Sequence, residues 1–217
     1  MSLSAWAGLA GAVLLAAFLV WFVAWGLLSK RHRLPCPSWL GWMVEMDNPF
    51  TRTNRAAFIV EALDLTPGMR VLDAGCGPGR LTIPLAEAVG PHGVVTAVDI
   101  QPAMLERVRA RLKGRADLTV HLVAGALEEA VPADAAFDRA LLVTVLGEIP
   151  DQAAALRRVH DSLRPGGVLS ITELVFDPHF QRLSRITARA EAAGFRPSTI
   201  HGGRLAYTAH FVRPAAA

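Results

Sequence analysis

Three glycines and two acids, close together in the chain, are the residues best placed to do chemistry. The run Val71-Leu72-Asp73-Ala74-Gly75-Cys76-Gly77-Pro78-Gly79-Arg80 reads as an apolar strand entering a tight, glycine-rich turn, and a helical pattern follows over Leu81–Val89. Glycine at 75, 77 and 79 lets the backbone turn sharply and approach a ligand with no side chain in the way. Strand, loop and helix N-terminus in this order make a nucleotide-type site in an open α/β sheet. The spacing excludes the usual occupants. G-x-G-x-G falls one residue short of the dinucleotide pattern, and Gly79 is followed by Arg80-Leu81 rather than by the Lys-Ser/Thr of a P-loop. Asp73, two residues before the first glycine, sits badly beside a pyrophosphate and suits a ligand that carries positive charge. S-adenosylmethionine, with an ammonium, a sulfonium and no phosphate, is such a ligand.

The second acid, Asp99, ends the apolar run Gly93-Val94-Val95-Thr96-Ala97-Val98-Asp99-Ile100. An acid at the end of a second strand accepts hydrogen bonds from ribose hydroxyls. On these residues, the stretch from Met69 to Arg111 closely resembles class I S-adenosylmethionine-dependent methyltransferases, most of all the ubiquinone/menaquinone-biosynthesis methyltransferase-like group. A later landmark of the family is also present, in Val159-His160-Asp161-Ser162-Leu163-Arg164-Pro165-Gly166-Gly167-Val168-Leu169. The resemblance covers about Asn48 to Arg213 and is specific for cofactor and fold, not for substrate.

Position by position, the resemblance implies that Asp73, Ala74 and the glycines Gly75, Gly77 and Gly79 hold the methionine end. It implies that Asp99 binds the ribose, that Ile100 packs on adenine, and that Val143 and Thr144 lie beneath the cofactor. Where the family reads Gly-Asp-Ala-Glu, with the Asp on the adenine amino group, this chain has Gly125-Ala126-Leu127-Glu128. Only backbone contact from Ala126 and packing by Leu127 carry over. Related sequences often have His where this chain has Gly147, so that loop offers no base of that kind.

Methyl transfer needs alignment of nucleophile, methyl and sulfur with water kept out. A base is required only where the nucleophile must lose a proton. Glu148 opens the loop after the fourth strand, either as a catalytic acid or base or as a solvated helix-start acid. His179, in Asp177-Pro178-His179-Phe180, follows the fifth strand, either as a proton carrier or as part of a helix cap. Glu173 reads as a pocket acid or as a partner for an arginine. His121 and His160 read as surface or helix-packing residues, and Arg107, Arg109 and Arg111 as a solvated helix face. Cys36 and Cys76 have no metal-ligand spacing, so no metal is expected, and no disulfide.

The chain has 217 residues, 52% of them apolar. That suits one α/β domain with a short appendage. No charged residue occurs from Met1 to Ser29. As a helix, Leu3–Leu28 reaches roughly 39 Å, enough for a ~30 Å hydrocarbon core. The stretch lacks the charged start and cleavage site of a signal peptide, so a retained single-pass anchor is expected. Lys30, Arg31 and Arg33 follow it, placing the C-terminal domain in the cytoplasm. Small-xxx-small pairs such as Ala7 and Gly11 allow a homodimer through this helix. The formal charge is only +3, and no basic stripe with interleaved aromatics suggests nucleic acid. Ser38–Val44, with Trp39 and Trp42 three apart, lies either on the membrane surface or against the domain.

The expected organisation is an anchor over residues 1–29, a basic juxtamembrane linker and interfacial segment over 30–47, and a methyltransferase domain over 48–217. Strands are expected near Arg70–Asp73, Val94–Asp99, Thr119–Ala124, Arg139–Val143 and Val168–Glu173. A strand pair closes the chain, with a turn at Gly202-Gly203. Helices are expected near Thr53–Leu63, Leu81–Val89, Pro102–Leu112, Gln152–Leu163 and Phe180–Ala193. Alternation of this kind gives an α/β fold, and the resemblance makes it a Rossmann-like, seven-stranded, mostly parallel sheet with helices on both faces and an antiparallel last strand. The functional expectation is a membrane-anchored methyltransferase acting on a small lipophilic acceptor, quinone-like, lipid or thiol. The rival is a tethered protein that binds the cofactor without catalysis.

Overall fold

A computed structural model describes residues 3–32, 36–47, 51–133 and 137–215. Arg33, Leu34, Pro35, Asn48 and the last two alanines therefore lie outside the described residues, as do the side chains of Lys30 and Arg31. Helix α1 (Leu3–His32) is followed by a short turn of 3-10 helix at Ser38–Leu40 and by α2 (Gly41–Glu45). A second 3-10 turn (Arg52–Asn54) leads into α3 (Ala56–Ala62). Then come β1 (Arg70–Ala74), α4 (Thr82–Val89), β2 (Val94–Asp99), α5 (Pro102–Arg111), β3 (Val120–Ala124), α6 (Leu127–Ala130) and β4 (Phe137–Val143). A 3-10 turn at Leu146–Glu148, α7 (Gln152–Ser162), β5 (Leu163–Leu174), α8 (Leu183–Ala192), β6 (Arg196–Gly202) and β7 (Ala206–Val212) complete the chain.

The seven strands form one sheet in the order β3-β2-β1-β4-β5-β7-β6. Strands β1 to β5 pair in parallel, and β7 runs antiparallel to both its neighbours. The apolar runs read from the sequence are buried on both faces, as central parallel strands require. Neighbouring residues of a strand point to opposite sides. Leu72 and Ala74 of β1 join Leu142, Ile171, Leu156 of α7 and Ile186 of α8 on one face. Val71, Val95 and Leu141 meet Ile59 and Leu63 of α3 and Leu85 of α4 on the other. The chain winds outward from β1 to β3, then returns to place β4 on the opposite side of β1. That reversal creates a switch point, and the loops after β1 and β4 flank it.

Among the expected boundaries that move, two have a cause in contacts with distant residues. Pro165-Gly166-Gly167 is not a turn before a strand but a bulge inside β5. Phe137 pairs with Leu163 and Arg139 with Val168, and Gly166, at φ 77°, donates to the Arg213 carbonyl. The last helix starts at Leu183 rather than Phe180, because Gln181 has both backbone groups engaged elsewhere. Its N–H donates to Glu173, and its carbonyl accepts from the Tyr207 hydroxyl.

The largest departure is at the N-terminus. Residues 3–32 are helical, but among the described residues no helix is long and apolar enough to cross a membrane. The transmembrane helix expected over residues 1–29 is not supported by the structure. Part of α1 is engaged by the rest of the chain instead, since the Trp21 ring lies 5.1 Å from that of Trp39. The interfacial segment packs on the domain through part of its length. Trp39 and Trp42 are exposed, while Leu40 and Gly41 between them are buried against the domain.

Candidate cofactor and acceptor site

The end of β2 holds the glycine loop. The N–H groups of Gly75 and Cys76 both donate to the Val98 carbonyl, at 2.8 and 3.0 Å. The Gly77 N–H donates to Asp99 Oδ2 at 2.8 Å, and Asp99 Oδ1 accepts from the Gln101 N–H at 2.8 Å. A carboxylate has about four lone-pair sites, so Asp99 keeps acceptor capacity for hydroxyls in the cavity that it lines. Gly75 has φ 77°, and a Cβ there would lie 2.5 Å from Val145 Cγ1. The loop thus needs glycine for both its turn and its close approach to the loop after β4.

That cavity, of about 200 Å³, runs from the loop to the turn after β4. Gly75, Asp99, Ile100, Ala126 and Leu127, all expected at the cofactor, line it. Ile100 is otherwise 59% exposed, an apolar side chain offered to a ring. Ala74, Gly77, Gly79 and Thr144, also expected at the cofactor, are not among the residues that line it. Thr144 holds a left-handed φ of 54° while its N–H donates to Thr172 of β5, which fixes where β4 stops. Asp73 is also set back, 3% exposed, with Oδ2 accepting from the Thr82 hydroxyl at 2.6 Å. Burial pushes its carboxyl up to about 6, opposed by the Thr82 hydrogen bond. Asp73 therefore ties the loop to α4. Gln101, Glu128, Val145 and Ile149 also line the cavity and were passed over in the sequence. Glu128 had a signal, as the acid of the Gly125–Glu128 run.

At the other end Glu148 enters the same wall, and His179 stands behind it. His179 Nδ1 lies 3.7 Å from Glu148 Oε1 and 3.8 Å from Asp177 Oδ1. Both are too long for hydrogen bonds and are ion pairs only when the ring is protonated. The His179 N–H donates to Asp177 Oδ1 at 2.7 Å within the loop, so Asp177 holds the loop but does not cap the last helix, whose N-cap is Arg182. Burial above all, then Asp177 and Asp99, pushes the Glu148 carboxyl up to about 8, and a backbone hydrogen bond from Cys36 opposes them. Glu173 lies deeper, 1% exposed. Its Oε2 accepts from the Gln181 N–H, and Oε1 has no hydrogen-bond partner among the described residues. Burial pushes Glu173 up to about 8 as well. It is a buried acid, not the arginine partner that was its alternative reading.

The segment Cys36–Asp47 straps across the loop. Gln101 Nε2 donates to the Cys36 carbonyl at 2.9 Å. Arg107 pairs with Glu45 at 3.1 Å, and Arg80 with Asp47 at 2.9 Å. Arg111 donates to the Pro78 carbonyl. Arg107 and Arg111 are therefore fastenings, and only Arg109, paired with Glu106, keeps the expected exposed role. His121 is exposed, and His160 packs edge-on against Phe195, as expected.

Residues 71–167 match the methyltransferase domain family. The matched stretch carries an S-adenosylmethionine-dependent methyltransferase domain of the class I kind. It is 32% identical over 166 residues to the tRNA (adenine(58)-N(1))-methyltransferase of Thermus thermophilus, covering 76% of this chain and 61% of that protein. It is 34% identical over 123 residues to the ubiquinone/menaquinone biosynthesis C-methyltransferase of Shewanella oneidensis, covering 56% and 49%. The match to the latter thus spans about half of that relative's length. A methyltransferase structure from Aquifex aeolicus shares the fold, with a TM-score of 0.74 at 16% identity over 82% of this chain and all of that one. A Burkholderia thailandensis 1,6-didemethyltoxoflavin-N1-methyltransferase, solved with S-adenosylhomocysteine, is 26% identical with a TM-score of 0.59, over 74% of this chain and 76% of that one. The cofactor of this methyltransferase domain is S-adenosylmethionine, and the cavity fits it. Asp99 offers a carboxylate for hydroxyls, Gly75 a bare backbone, and Ile100 and Leu127 apolar faces for a ring.

Proposed function

We propose that this chain transfers the methyl group of S-adenosylmethionine to a small acceptor with an apolar body, using Glu148 and His179 to manage the proton. The observation that carries the reading is a single cavity with Asp99 at one end and Glu148 at the other. Bound S-adenosylmethionine supplies a methyl already activated by its sulfonium. The chain's own work is to hold both partners in line and exclude water. Gly75, Gly77 and Gly79 shape the backbone beside the methionine end, with Asp73 behind them. Asp99 takes the ribose. Ala126, Leu127 and Ile100 enclose the adenine, and Glu128 brings a carboxylate to the wall where Ala126 lacks one. Thr144 sets the floor. Glu148 faces the acceptor, and His179 buffers its charge from behind.

Membrane attachment belongs to the same proposal and rests on sequence and exposure. No charge occurs in Met1–Ser29, and Leu9, Val13, Leu14, Phe18 and Val20 of α1 are exposed. A lipophilic acceptor then enters from the bilayer side, beside Trp39, Trp42 and the loop after Glu173, with the domain in the cytoplasm. The helix also allows a second copy to pair with it, and no nucleic acid is involved.

Calorimetry with S-adenosylmethionine and S-adenosylhomocysteine tests the core of the reading. Both bind in the micromolar range and NAD does not; binding of NAD alone would overturn it. Carbonate washing of membranes tests the attachment. The chain stays in the pellet, and release would refute it.

A further inference from the structure

The ionisable groups that line the acceptor wall are all acids. Asp99, Glu128 and Glu148 line the cavity, and among the described residues no lysine, arginine or histidine does. Asp177 stands next to Glu148 across His179. Glu173 lies beneath them, with a buried carboxyl oxygen lacking a hydrogen-bond partner among the described residues. The guanidinium groups nearest the loop are committed elsewhere: Arg80 to Asp47 and the Asn54 carbonyl, Arg107 to Glu45, and Arg111 to the Pro78 carbonyl. The cofactor's own cation accounts for the acids at its end of the cavity. It does not account for Glu148, Asp177 and Glu173 at the far end.

Thiol, quinol and amine acceptors differ in charge. A thiol or a quinol reacts as its anion, which this wall repels. An amine arrives as a cation, reacts as the neutral base and leaves as a cation, so none of its forms is repelled. Two of the chain's own groups register the same field. Cys36 has its thiol pushed up to about 11 by burial, Glu148 and Asp177. The Tyr207 phenol is pushed up by burial and Glu173. A foreign thiol or phenol placed here meets the same resistance to ionisation.

We infer that the acceptor is an amine on an apolar body, and that Glu148 takes the proton its nitrogen must lose. This rests on the methyltransferase reading above. The ammonium gives a proton to the Glu148 carboxylate. The freed nitrogen lone pair forms the N–CH₃ bond as the C–S bond breaks, and that bonding pair leaves on sulfur. The products are the methylated ammonium and S-adenosylhomocysteine, and Glu148 then returns its proton to solvent.

The test uses the full-length protein in detergent with S-adenosylmethionine and three acceptors with the same tail: n-dodecylamine, n-dodecanethiol and dodecylhydroquinone. S-adenosylhomocysteine release and the mass of the product are read together. The amine is expected to react about tenfold or more faster in kcat/KM than the other two, a fraction of what a positioned base commonly contributes. Equal or faster methylation of the thiol or hydroquinone overturns the inference while leaving the methyltransferase reading intact. So does cofactor binding by calorimetry with no transfer to the amine. Failure to bind the cofactor at all removes the reading beneath it. Glu148→Gln separates base from scaffold. Its amine activity is expected to fall near neutral pH and to recover as pH approaches the amine's own pKa. A loss that stays constant with pH overturns the proton-accepting role.

Discussion

Gly147 and His179 are in such close contact that a Cβ on Gly147 would lie 2.2 Å from the His179 carbonyl oxygen. Any side chain at 147 displaces the loop that carries His179. This chain, with glycine at 147, brings His179 against that position from another loop. Gly147→Ala is expected to shift His179 and cost about 1–3 kcal/mol of stability through overpacking. It should lower kcat by about tenfold or more, since small misplacements at a reacting centre are costly. Cofactor affinity, measured by calorimetry, should change little. A fully active alanine variant would show that the position of His179 does not matter.

Asp99 braces the loop through Gly77 and faces the cavity. Asp99→Ala removes both roles. Cofactor binding is expected to weaken by about 1–3 kcal/mol, the scale of a charge-assisted hydrogen bond. Unchanged affinity in a titration of that variant would sink the ribose assignment.

Glu148 must be ionised to accept a proton. With its carboxyl raised to about 8, kcat/KM for an acceptor that enters protonated should rise with pH through that region of the free enzyme's profile. The rising limb is expected to move or vanish in Glu148→Gln. A limb that survives unchanged in that variant belongs to another group.

Glu173 gives a stability prediction of opposite slope. Burial raises its folded pKa to about 8, above the ordinary 4.5 of a glutamate, so the folded chain holds the proton more tightly than the unfolded one. The stability it contributes is complete below about 4.5 and is lost as pH rises towards about 8. Asp73 and Glu148 act in the same direction. Melting temperature should therefore fall across this window, by roughly 2–4 °C for each kcal/mol lost. Glu173→Gln, which can still accept from the Gln181 N–H, should flatten part of the slope. A melting temperature that climbs through the same window would contradict the burial assigned to these acids.

The sheet was legible in the sequence because its information is local and periodic. Val71–Ala74 and Val94–Asp99 are apolar runs bounded by glycine and acid. Gly75, Gly77 and Gly79 mark a turn that few other residues tolerate, and Asp99 sits one strand away at a fixed offset. The resemblance added the number of strands and the antiparallel last one, and the structure added their order. What the sequence left open depends on contacts between distant segments. Nothing near residue 147 announces that His179 will approach it, because they lie on loops after different strands. Nothing in Arg107 or Arg111 distinguishes a solvated arginine from one fastened to Glu45 or Pro78. Pro165-Gly166-Gly167 reads locally as a turn, and only pairing with β4 and Arg213 makes it a bulge. Glu148, Asp177 and Glu173 read as three unrelated acids. The fold gathers them at one edge of the sheet, where burial and mutual repulsion give them a chemistry that none has alone.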